Sequence, residues 1–164
     1  MRVYIPVTST QLRTLLDAGR FVAPLTAFAV TAGLREWYVD DDLEELEYAA
    51  LIEAARASLR LLDADTAAAP RRAVVAVDVS DAQVSVRDDI DRGVVHLSVD
   101  VPLSSIASLH IDDADAEPTV SAAAAAIVDA DLGDEQSQEL VDDAEGYELS
   151  WYASQEIAGL LDVL

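Results

Sequence analysis

Apolar and polar positions along this chain follow two rhythms, and the changes of rhythm mark its elements. Residues 2–6 put Val3 and Ile5 on one side and Tyr4 on the other, the two-residue period of a strand. Thr8-Ser-Thr-Gln11 then has the spacing of a capping box, with Thr8 as N-cap and Gln11 reaching back to it. Val7 and Leu12 stand where a hydrophobic staple requires them. Leu12, Leu15 and Leu16 give the inner stripe of a helix, and Gly19 stops it. Residues 26–30 predict a short strand, and Thr31 caps a short helix over residues 32–38.

The strongest helical period covers residues 43–62. Leu43, Leu46, Ala50, Ala54, Ala57 and Leu61 make one stripe; Tyr48, Ile52, Ala55, Leu59 and Leu62 make another. Two stripes predict a wide apolar face and a largely buried helix. Asp40-Asp-Asp42 marks its start, its acids come early, and Arg56 and Arg60 come late, as the helix dipole favours. Residues 63–70 read as a mobile low-complexity linker, too short to divide the chain into two domains.

The rhythm then returns to strands. Residues 73–79 form a continuous Val/Ala run, the pattern of a strand covered on both faces. Residues 83–87 fit a short edge strand, 94–101 alternate cleanly, and 108–112 predict a last strand. From Ala114 onward the pattern is helical. Pro118 opens a helix ending near Ala130, residues 134–144 form a short acidic one, and Ile157, Leu160, Leu161 and Leu164 close the chain. The expectation is a single domain over residues 1–164. Its fold class is α/β: a central mixed sheet of about five strands with helices packed on it. The first strand–helix–strand unit would supply a right-handed parallel crossover, and the later short connections an antiparallel half.

Composition alters this picture at few points. A chain of 164 residues, 52% of them hydrophobic, suits one globular domain. The absence of cysteine removes disulfides and thiolate chemistry and agrees with a cytoplasmic location. No apolar run has membrane-spanning length, and the N-terminus begins as a strand rather than as a signal segment.

Charge changes more. The formal net charge is −22, and every basic residue is arginine. All ten arginines lie between Arg2 and Arg92, whereas residues 93–164 hold sixteen acids and no arginine or lysine. Such a field argues against nucleic acid and anionic membrane surfaces as partners and allows a basic protein partner. Oligomeric state has no signature in the sequence.

Motifs for catalysis are sparse. No glycine-rich phosphate loop, Gly-x-Ser-x-Gly elbow or EF-hand spacing is present, so no cofactor is expected. His110, Asp112 and Asp115 are the candidate metal ligands, since carboxylates and an imidazole at a strand end suit an oxygen-preferring divalent cation. The other reading of these acids is a solvated turn that caps the next helix. Glu148, Trp151, Tyr152, Gln155 and Glu156 are the candidate ligand-binding residues, since aromatic rings with polar handles beside carboxylates can line a pocket or anchor an interface. Their alternative is a core-closing tryptophan with a helix cap. His96 lies out of phase with the apolar face of its strand, and Arg71-Arg72 could pair with acids of the same molecule.

Met1-Arg-Val-Tyr-Ile-Pro6, Thr26-Ala-Phe-Ala-Val-Thr31, Glu44-Glu-Leu-Glu-Tyr-Ala-Ala50 and Ala57-Ser-Leu-Arg-Leu-Leu62 carry a resemblance. So do His110-Ile-Asp112, Ala114-Asp-Ala-Glu-Pro118, Glu148-Leu-Ser-Trp-Tyr152 and Gln155-Glu156. Together they resemble a family of short actinobacterial proteins of unknown function, over nearly the whole chain. The resemblance implies an actinobacterial, cytoplasmic setting and transfers no catalytic residue. Two functions remain open. One is a non-enzymatic interaction or regulatory protein that offers an acidic C-terminal surface to a basic partner. The other is a small-ligand-binding or divalent-metal-dependent enzyme using the 110–115 or 151–156 segment.

Overall fold

The computed structural model describes residues 1–164. Its first strand, β1 (Arg2–Val7), leads through the Thr8 N-cap into α1 (Ser9–Ala18). Both hydrogen bonds of the capping box form, and Gly19 closes the helix at φ 77°, the left-handed conformation that glycine adopts without a Cβ clash. There follow β2 (Arg20–Phe21), β3 (Leu25–Ala29), the single turn α2 (Ala32–Arg35) and the long α3 (Leu43–Ala64). Five strands come next: β4 (Ala73–Asp78), β5 (Val84–Val86), β6 (Val94–Leu97), β7 (Val101–Pro102) and β8 (Ile106–Ile111). Then come α4 (Glu117–Asp131), α5 (Glu135–Glu145), β9 (Ser150–Ala153) and α6 (Ile157–Leu161).

Seven strands form one sheet in the order β5-β6-β3-β1-β4-β8-β9, and β2 pairs with β7 in a separate two-stranded ribbon. The α/β class therefore holds, with two differences from expectation. The main sheet has seven strands rather than about five, and every neighbouring pair in it is antiparallel. β1 and β3 are antiparallel neighbours, with Tyr4 opposite Phe28. A helix between two strands is a crossover only if it returns the chain to the starting end. Here α1 stops at Gly19, and residues 19–24 carry the chain past the β2–β7 ribbon to enter β3 from the other end. The parallel relation exists one step away. β3 and β4 both run antiparallel to β1, and α3 crosses over β1 to join them. β9 is the strand the sequence concealed: Ser-Trp-Tyr-Ala is too short to show a period.

Alternation along the strands separates two apolar layers. Val3, Ile5, Val75, Val77 and Leu109 face Leu12 and Leu15 of α1 and Ile157 and Leu161 of α6. On the other face Tyr4, Phe28, Val74 and Ala76 meet Ala50 and Ala54 of α3. A third cluster joins Leu59 and Leu62 of α3 to Val120 and Ile127 of α4 and Val141 of α5. Helix α4 thus packs on α3 and α5 on α4, and the alanines of α4 allow the close approach. Burying apolar area at about 25 cal/mol per Å² makes these three layers the main source of stability.

Two further expectations change. The segment after α3 is bound into the fold: Ala68 is buried, the Ala69 amide donates to Ser9 Oγ at 3.0 Å, and the Ala67 amide donates to Asp65 Oδ1. A hydrogen bond to Ser9, 60 residues away, leaves no mark in the segment's own composition. The wide apolar face of α3 is also not covered along its whole length. Leu46, Ala50, Ala54 and Leu59 are buried, but Leu43 and Tyr48 are more than half exposed. In its first turns α3 therefore packs through Leu46 and Ala49 and leaves Leu43 and Tyr48 on the outer side.

Candidate functional site

The eight residues named from sequence, His110, Asp112 and Asp115 with Glu148, Trp151, Tyr152, Gln155 and Glu156, fall in different surroundings. Asp112 is buried just beyond β8, and its carboxylate is already occupied. It accepts from Arg72 Nε at 2.8 Å, Arg72 Nη2 at 2.7 Å and the Arg72 amide at 2.8 Å. Arg72 also donates to the Tyr147 carbonyl at 2.9 Å, which ties the sheet end to the segment after α5. His110 is half-buried in β8, where burial lowers its pKa, and its Nε2 lies 3.0 Å from Ser108 Oγ. Ser108 is itself buried, so the two groups satisfy one another. Asp115 is exposed on the 3₁₀ turn before α4. No group of three or more histidine and carboxylate side chains gathers at a metal-binding distance.

The 148–156 residues also diverge. Trp151 and Tyr152 are successive residues of edge strand β9 and point to opposite faces. Trp151 is 61% exposed, opposite His110, whereas Tyr152 packs on the α1/α6 core. Glu156 accepts from the Ala153 amide at 2.8 Å and caps the turn leading to α6. Glu148 and Gln155 are exposed.

A different place gathers chemistry. Three adjoining cavities run along α3, and Glu53 lines all of them. The first, about 480 Å³, is lined by Tyr38, Glu44, Glu45, Tyr48, Ile52 and Glu53. The second, about 350 Å³, lies between Trp37, Arg56, Asp91, Arg92 and Glu145. The third, about 520 Å³, is bounded by Thr26, Arg60, Asp91, His96 and Asp131. The elements that position these walls are well fixed. Asp42 caps α3 through the Glu44 amide, and Asp88 fastens the β5–β6 loop to α2 through Thr31 Oγ1 at 2.6 Å and the Gly33 amide at 3.0 Å. Gly33 permits that approach, since a Cβ there would stand 2.6 Å from Asp88 Cγ.

Glu53 is the one carboxylate set inside the apolar 49–55 stretch of α3. It is half-buried and makes no ion pair or hydrogen bond within the protein. Burial raises its pKa, Asp91 and Glu145 add to the rise, and Arg56 and Arg60 oppose it. Those two arginines are engaged elsewhere: Arg60 Nε donates to Asp131 at 2.7 Å, and Arg56 Nη2 to Asp131 and Gln138 at 3.1 Å. Asp131 accordingly sits below the usual carboxylate range, chiefly through its Arg60 hydrogen bond. An acid interrupting an apolar helical stretch was the sequence signal for this place. What the sequence did not show was which elements would wall it.

The same economy of cations holds across the molecule. Arg2, Arg20, Arg35, Arg56, Arg60, Arg71, Arg72 and Arg87 each reach a carboxylate of the same chain. Arg13 donates to the Leu161 carbonyl, and Arg92 lies over the Trp37 ring at 3.5 Å. Exposed acids on α5 and beyond, such as Glu135, Glu139, Asp142, Asp143 and Glu148, have no such partner. The Glu53 cavities offer a cation carboxylates and ring faces. They show no hydrogen-bonded nucleophile and base.

The model of a family of unknown function matches residues 1–161. No curated protein and no solved structure matches the chain. No helix is long and apolar enough to cross a membrane.

Proposed function

We propose that this chain, which belongs to the DUF6912 family, is a non-enzymatic interaction or regulatory protein of the cytoplasm that presents an acidic surface to a basic partner. The observation that carries this reading is the internal use of the arginines. All ten are engaged within the chain, while Glu135, Glu139, Asp142 and Asp143 of α5 remain exposed without an arginine partner. A surface of one sign attracts and orients a partner of the other sign. The same field is unfavourable for phosphate backbones, so nucleic acid has no part in this proposal. The alternative enzyme sites draw no support from position. Asp112 is saturated by Arg72, and Trp151 and Tyr152 face opposite ways.

Affinity capture from extract of the native host tests the reading. The expected outcome is a reproducible set of basic proteins at low salt that is lost as salt rises. If nothing reproducible is captured at low salt, the reading fails.

A further inference from the structure

The exposed apolar residues are not scattered. Trp37, Tyr38, Val39, Leu43 and Tyr48 form one stretch at the start of α3, each more than a third exposed and Val39 fully so. Asp40, Asp41, Asp42, Glu44 and Glu45 lie among them, and the cavity of about 480 Å³ opens between Tyr38, Tyr48 and Glu53. Aromatic rings and carboxylates around one concavity match a group that is flat, apolar on its faces and positive at its edge. A guanidinium has that character: it stacks on rings and pairs with carboxylates through several donors. The molecule already contains one instance, since the Arg92 guanidinium lies 3.5 Å from the Trp37 ring centroid. No cation of the chain lies over Tyr38 or Tyr48.

We propose that this cavity is the docking site for an arginine side chain of a basic polypeptide segment, held between Tyr38, Tyr48 and the carboxylates of Glu44, Glu45 and Glu53. The inference rests on the acidic-interaction reading and assigns it a place, the start of α3, outside the C-terminal acidic stretch. Charge complementarity selects the sign of the occupant, and the exposed Val39 and Leu43 provide apolar area for a chain rather than a bare ion. A divalent metal is a poorer match, because the carboxylates do not gather at metal-binding distances.

The test uses the full chain and a fluorescein-labelled arginine–serine repeat peptide, followed by anisotropy at low salt. Three variants are compared: Glu53→Gln, Tyr48→Ala and, on α5, the double change Asp142→Asn with Asp143→Asn. Thermal melts confirm that each is folded. Expected is a loss of about tenfold or more for each cavity variant, in the range of interface hot spots. The α5 variant should change affinity by less than about twofold, the size of a rim-charge effect. A lysine–serine peptide should bind more weakly than the arginine peptide.

If the wild type binds the peptide but the cavity variants bind equally well, the inference is overturned and the acidic-interaction reading survives. If the wild type binds no basic peptide, both fall. Spermidine is the small-molecule arm. If it binds more tightly than the peptide with the same variant sensitivity, the occupant is a free polyamine and the docking proposal is overturned.

Discussion

Single side chains in this protein carry opposite consequences for stability. Arg72 and Asp112 are a buried pair with five hydrogen bonds between them and to the Tyr147 carbonyl, counting the Asp112 amide to the Arg72 carbonyl at 3.0 Å. Removing one partner leaves an uncompensated buried charge. Asp112→Ala or Arg72→Met should each cost about 3–5 kcal/mol in denaturant unfolding. The double variant Arg72→Met with Asp112→Leu should be less destabilised than either single one. A double variant as unstable as the sum of the singles would show that the pair is not acting as a unit. Glu53 behaves in the other direction. Its pKa is raised in the fold, chiefly by burial, so its ionised form opposes folding at neutral pH. That opposition is absent below the ordinary carboxylate range and complete above the raised value. Glu53→Gln should therefore raise the melting temperature at neutral pH, and the gain should vanish on acidification. A lower melting temperature at neutral pH would contradict this.

Elements repeat the lesson with caps and staples. Thr8 and Gln11 form the box that starts α1, so Thr8→Ala should cost about 1 kcal/mol in equilibrium unfolding. Asp88 holds two loops together by accepting from Thr31 and from the Gly33 and Gly93 amides. Burial alone would raise its pKa, but these hydrogen bonds outweigh it and hold the carboxyl below its usual range. The resulting stability is present above the ordinary carboxylate range and is lost as pH falls through the depressed value. Hydrogen exchange at Gly33 and Gly93 should accelerate in Asp88→Ala, and unchanged exchange would mean that Asp88 does not hold these loops together. Sequence made the local part of this legible. Thr8, Gly19, Thr31, Asp42 and Pro118 mark helix ends because capping needs only neighbouring residues. The direction of β3 and the existence of β9 depend on long-range pairing, which short strands do not encode in their own period. Two of the Glu53 cavities were hidden for the same reason, because the β5–β6 loop and Asp131 or Glu145 meet α3 only in the fold. The cavity of about 480 Å³ is lined by residues between Tyr38 and Glu53 alone and depends on the turn that brings Tyr38 back onto α3.

At the scale of the whole molecule the sheet is a scaffold and the charge is the output. Antiparallel pairing places β1 at the centre, α1 and α6 cover one face, and α3 with α4 and α5 outside it covers the other. In that arrangement the arginines are engaged within the same chain, eight of them with its carboxylates, and the acids of α5 and of the α3 start lie outward. Net charge of −22 then acts over a Debye length of about 8 Å at physiological ionic strength. Binding driven by this field must weaken with salt, whereas binding driven by apolar burial alone would not. The direct measurement is the dissociation constant of the arginine–serine peptide for the unmodified chain across a salt series. Measurable binding at low salt and a steep loss of affinity as salt rises are expected. An absence of binding at low salt, or an affinity indifferent to salt, would contradict the acidic-interaction reading.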